Sequence, residues 1–125
     1  MEIWLFGNPD LNCDCLPLKI LPQLKKLFPK IDFIIQDPLE EWSLPSELFI
    51  IDTVQGLKKV EVFTTLEKFQ PSPHVTMHDF DLGAQLNWLK KLGVLPKFTI
   101  FGIPENISET AALNQLNSLL QQYEV

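Results

Sequence analysis

The sequence predicts an α/β fold: a three-layer α/β/α sandwich around a mixed, mostly parallel five-stranded sheet whose fourth strand is antiparallel. Three observations predict it. Short apolar, β-branched runs alternate with stretches of helical periodicity. The runs close at Gly, Asn, Asp or Pro, residues that punctuate strands. The third and fourth runs lie about eight residues apart, fewer than the dozen or so that a parallel crossover needs, so the fourth strand must reverse direction. The 125 residues make one domain, 1–125, and leave no room for a second.

The elements follow in order. Ile3 to Phe6 is the first strand, closed by Gly7-Asn8-Pro9. From Pro17, Ile20, Leu21, Leu24, Leu27 and Phe28 recur at helical spacing. Pro22 lies inside that pattern, where it either kinks the helix or marks a late start. Ile31 to Gln36 is the second strand, closed by Asp37-Pro38. Leu48 to Ile51 is the third, closing at Asp52-Thr53, and Val60 to Phe63 the fourth. Asp79 to Leu92 is a helix with Leu82, Leu86 and Leu89 on one side and Gly93 as its C-cap. Phe98 to Phe101 is the fifth strand, closing at Gly102-Ile103-Pro104. Asn106 with Glu109 reads as the cap of a last helix that carries Leu113, Leu116, Leu119, Leu120 and Tyr123.

Composition excludes several classes of function. Apolar residues at 46% and charged residues at 21% supply one real core and rule out disorder. A net charge of -6 with no basic run argues against nucleic acid and anionic membranes as partners. No apolar run approaches the ~20 residues of a membrane span, and no basic, apolar leader opens the chain. The two cysteines, one residue apart, make no disulfide framework. A soluble, cytoplasmic monomer is the expectation.

Open α/β sheets bind ligands beyond the carboxyl ends of their parallel strands, where the strand order switches. If the first strand lies between the second and third, that crevice is fed by three segments. One carries Asn8, Asp10, Cys13, Asp14 and Cys15, the second Asp52, and the third the only histidines, His74 and His78. Each residue has a plainer role available. Asp52 could close a turn, Asp14 or His78 could cap a helix, His74 sits among prolines on an exposed loop, and the cysteines could be small buried hydrophobes. Against this, two carboxylates and an imidazole held at a helix N-terminus in its neutral form suit a borderline divalent metal.

Three motifs in order then resemble the [NiFe]-hydrogenase maturation proteases, especially the short archaeal-type members, over nearly the whole chain. Phe6-Gly7-Asn8-Pro9 with Asp14 is similar to that family's strand-one glycine-asparagine motif and acidic loop. Leu48 to Asp52, then Val54-Gln55-Gly56-Leu57-Lys58, is similar to its third-strand aspartate and hairpin. Met77-His78-Asp79-Phe80-Asp81-Leu82, followed by Ile100-Phe101-Gly102-Ile103-Pro104, is similar to its histidine-helix-strand segment. The resemblance implies an endopeptidase that removes the C-terminal extension of a [NiFe]-hydrogenase large-subunit precursor after nickel insertion. It puts the catalytic and metal-contacting roles on Asp14, Asp52 and His78, with no permanently bound cofactor, because the nickel belongs to the substrate.

The chain departs from the family pattern in three places. Cys13 stands where many members have the first of two acids, Leu16-Pro17 where they have a glycine, and Gln36 to Glu41 where a glycine-glycine-threonine stretch follows strand two. Cys13-Asp14-Cys15 motivates one competing reading, a non-catalytic nickel-binding assembly factor on the same fold. A phospho-accepting receiver domain is a second competitor of suitable length. It wants a helix between strands three and four and a lysine just after strand five, and the sequence offers neither.

Overall fold

Apolar runs bounded by turn residues become the strands of one sheet in the computed structural model, which describes residues 2–6, 16–36, 43–54, 56–65 and 82–123, with side chains from 84 onward in the last stretch. The order is β1 (Glu2–Leu5), α1 (Leu16–Leu27), β2 (Asp32–Ile35), β3 (Glu47–Val54), β4 (Glu61–Phe63), α2 (Leu82–Lys91), β5 (Lys97–Pro104) and α3 (Glu109–Tyr123). Across the sheet the strands lie β2-β1-β3-β5-β4. The β1–β2, β1–β3 and β3–β5 pairs are parallel, and β4 pairs antiparallel with β5. The mixed sheet with β4 reversed is therefore as the spacing required, and β1 does lie between β2 and β3.

The hairpin is not. β4 runs against β3 in direction, but β5 separates the two strands. Their link crosses two strand spacings, about 9.6 Å, which residues 55–60 span easily. Gly56 takes φ +82° within that link, a backbone conformation that side-chain-bearing residues resist. The arrangement also differs from the all-parallel 2-1-3-4-5 order of receiver-like folds, which removes that competitor.

Two faces of the sheet make two cores. On one, Ile3, Leu5, Ile51, Phe101 and Ile103 meet Ile20 and Leu24 of α1 and Ala112, Leu116 and Leu120 of α3. On the other, Trp4, Phe6, Leu48, Ile50, Val54, Phe98 and Ile100 meet Leu86 of α2. Strands buried on both faces read as unbroken apolar runs, which is why β3 and β5 were visible in the sequence. Trp4 can be buried because its indole N–H donates to Glu2 Oε1 at 2.7 Å.

Several boundaries move. β3 continues past Ile51 through Asp52 and Thr53 to Val54, and β5 continues past Phe101 through Gly102 and Ile103 to Pro104, because the two pair in register along eight positions, Glu47↔Lys97 to Val54↔Pro104. Asp, Gly and Pro are poor strand formers, and tertiary pairing overrides them. α1 begins at Leu16, so Pro22 is interior to the helix rather than its start. The α3 cap is Ser108, not Asn106: Ser108 Oγ accepts from Ala111 N–H at 3.1 Å, and its carbonyl accepts from Ala112 N–H at 2.9 Å. Residues 79–81, read as the first turn of the third-segment helix, lie outside the described residues.

Candidate functional site

β1 is the point at which this sheet changes direction, since β2 lies on one side of it and β3 on the other. α1 leaves the carboxyl end of β1 and returns to the start of β2. α2 delivers the chain through Leu92 to Pro96 into Lys97, the start of β5. Both helices therefore run back against the parallel strands, with their N-termini at the carboxyl edge of the sheet. The β1/β3 crevice, the switch point, lies at that same edge.

Asp52 sits there. It is within β3 rather than after it, on the face covered by α2, in the row that continues Leu48, Ile50 and Val54. Only 1% of its surface is exposed. Aspartate is rarely this buried, and a carboxylate taken from water into an apolar row costs free energy that a leucine or valine there would not.

Its surroundings are asymmetric. On one side Asp52 lies opposite Gly102 of β5. A Cβ at Gly102 would stand 2.8 Å from Phe63 Cε2, 2.8 Å from Val54 Cγ2 and 3.1 Å from Leu57 Cδ1, so three apolar side chains already fill the space above it. Glu61 pairs with Gly102 from β4 and is exposed. On the other side Phe6 N–H donates to Ile51 carbonyl at 3.1 Å, so the chain leaving β1 runs alongside Asp52. The apolar wall closes the β5 side, and the connection that carries Asp14 begins on the β1 side.

Of the residues read as candidates, Asp52 is described. Asn8, Asp10, Cys13, Asp14, Cys15, His74 and His78 lie outside the described residues. Among the described residues no three His, Cys, Asp or Glu side chains gather as a metal-holding group. Gly102 is a feature that reading for chemistry missed. It was taken as a strand terminator, whereas its missing side chain lets Phe63 and Val54 close over the strand next to Asp52. The usable signal was a lone glycine inside an apolar run, which marks a close approach more often than an end. Beside Asp52, Thr53 is fully buried on the opposite face, and its Oγ1 has no hydrogen-bond partner among the described residues.

Among solved structures, the crystal structure of HycI, a [NiFe] hydrogenase maturation protease from Thermococcus kodakarensis KOD1, matches with a TM-score of 0.56 and 16% sequence identity, covering 97% of this chain and 90% of that chain. The chain has the fold of a [NiFe] hydrogenase maturation protease. No protein-family model and no curated protein matches the sequence. The likeness extends over nearly the full length of both chains. No described helix is long and apolar enough to cross a membrane.

Proposed function

We propose that this protein is a maturation endopeptidase that removes the C-terminal extension from the large-subunit precursor of a [NiFe] hydrogenase once nickel has been inserted. The observation that carries the reading is Asp52: a carboxylate buried at the carboxyl end of the central strand, at the switch point of a maturation-protease fold. Sequence position supports two partners for it. Asp14 stands two residues ahead of α1 and His78 four ahead of α2, and both helices start at the same edge of the sheet.

In this reading Asp14, Asp52 and His78 contact the nickel of the substrate, which remains the substrate's own metal, and the protein keeps no cofactor. Two carboxylate oxygens and a neutral imidazole nitrogen match a borderline divalent ion and leave coordination positions for the groups that hold it in the precursor. Contact with the metal then serves as the test of insertion, and it positions the scissile peptide bond beside the acids. A carboxylate of this set takes the proton of the attacking water as general base. Asp52 suits that role because it is withdrawn from bulk water, with 1% of its surface exposed. The protein acts as a cytoplasmic monomer on the folded, loaded precursor.

Intact-mass analysis of the large-subunit precursor after incubation with the protein tests this, with and without prior nickel loading. Loss of a C-terminal peptide from the loaded precursor alone is expected. Unchanged mass in both states, with the complex still forming, would instead favour the assembly-factor reading that Cys13-Asp14-Cys15 motivates. Thiolate-to-nickel charge-transfer bands in the isolated protein, lost in a Cys13→Ser/Cys15→Ser variant, would mark that alternative.

A further inference from the structure

Thr53 follows Asp52 in β3 and points to the other face of the sheet. It continues the row of Phe49 and Ile51, on the side that α1 and α3 cover. It is fully buried, and its Oγ1 has no hydrogen-bond partner among the described residues. A hydroxyl withdrawn from water without a partner is destabilising, whereas an apolar group of the same shape is neutral or stabilising. Valine has that shape and forms strands as readily as threonine. In this state the hydroxyl therefore contributes less to the fold than a valine methyl would.

β3 is held unevenly where Thr53 lies. β5 pairs with it through Asp52↔Gly102, Thr53↔Ile103 and Val54↔Pro104. Among the described residues, β1 pairs with it only as far as Leu5↔Ile51, with one more bond from Phe6 N–H to Ile51 carbonyl. The chain then passes from Phe6 to Leu16, the first residue of α1. Leu16 is buried in the same core as Ile51 and Ile103, and α1 packs against β3. The connection between β1 and α1 thus has one end beside Thr53's strand and the other in the core on Thr53's face.

We propose that Thr53 is a positioning residue for the maturation reaction, its hydroxyl hydrogen-bonding the main chain of the β1–α1 connection once the precursor is bound. The assignment rests on the maturation reading, in which that connection supplies Asp14 to work beside Asp52. A hydroxyl both donates and accepts, so it can serve a main-chain carbonyl or N–H alike. The bond acts through the two acids. One residue along β3 from Asp52, it ties that strand to the segment that bears Asp14, and so sets the spacing of the carboxylates on which placement of the scissile bond depends.

The test is steady-state processing of nickel-loaded precursor by the full-length protein and by Thr53→Val and Thr53→Ser, with a urea titration of each. Thr53→Val should keep or raise the urea midpoint and lower kcat/KM about fivefold to tenfold, the usual net worth of one hydrogen bond. Thr53→Ser keeps the hydroxyl and loses a buried methyl, so it should lower the midpoint and hold kcat/KM within about twofold of wild type. A purely structural role would make rate follow stability, the opposite order. In an Asp14→Asn background, Thr53→Val should slow cleavage no further, as expected of residues that act together. The proposal is overturned by wild-type kcat/KM in Thr53→Val, by equal losses in the two variants, or by a full further loss in the Asp14→Asn background. A lowered midpoint in Thr53→Val overturns it as well, because the hydroxyl would then already have a partner in the free protein. In each of these cases wild-type cleavage leaves the maturation reading standing. A wild-type protein that leaves the loaded precursor uncut ends that reading, and the assignment with it.

Discussion

A carboxylate inside an apolar strand is where residue-level chemistry and stability part company. Asp52 is as buried as Ile50 and Ile51 beside it, a depth at which aspartate is rare. Asp52→Asn keeps the shape and removes the charge. It should retain a single cooperative thermal transition while losing roughly 10²-fold or more of precursor processing, the usual contribution of a positioned acid or base; processing at the normal rate would take Asp52 out of the mechanism. Gly102→Ala probes the neighbouring wall. Its Cβ would lie 2.8 Å from Phe63 Cε2 and Val54 Cγ2, and overpacking of this kind costs about 1–3 kcal/mol, measurable as a lowered urea midpoint. A stability within error of wild type would mean that Phe63 and Val54 give way freely. Asp52 was legible as an acid at the end of an apolar run, but not as a residue within the strand. The pairing of Asp52 with Gly102 depends on a contact between segments fifty residues apart, which no local propensity records.

The elements divide by whether a local rule or a distant contact decides them. Gly93 was legible because its function is local: it takes φ +76°, its N–H donates to Lys90 carbonyl at 3.1 Å, and Val94 N–H donates to Leu89 carbonyl at 3.1 Å, the two bonds of a Schellman cap. The start of α3 had two local solutions, and the spacing of Asn106 to Glu109 pointed to the wrong one. Ser108→Ala should therefore cost about 1 kcal/mol, and Asn106→Ala close to nothing, by parallel urea titrations. The reverse order would return the cap to Asn106. Pro22 shows the other class. It lies in the seventh position of α1 and is exposed, so Leu18 carbonyl has no Pro N–H to accept from. The helix persists because Ile20, Leu21 and Leu24 are buried on its inner side, a tertiary gain that propensity does not see. Pro22→Ala should raise stability by about 1 kcal/mol or more.

At the scale of the molecule, the sheet is strongest where the candidate site is anchored. β3 and β5 pair along eight positions and are buried on both faces, whereas β4 pairs with β5 along three, Glu61↔Gly102 to Phe63↔Ile100. The approach to β4 is tied from the other layer, since Val60 N–H donates to Gln115 Oε1 of α3 at 2.7 Å. Sub-global opening starts where few buried contacts hold an element, so amide exchange should separate two classes. Amides of β3 and β5, Asp52 among them, should exchange only with global unfolding. Those of β4 should exchange sooner. Gln115→Ala removes a bond worth about 1 kcal/mol and should speed exchange in β4 about fivefold, leaving β3 slow relative to it. Equal acceleration of β3 and β4 would show that the sheet opens as one unit. In that case the edge strand and the strand that bears Asp52 share a single stability.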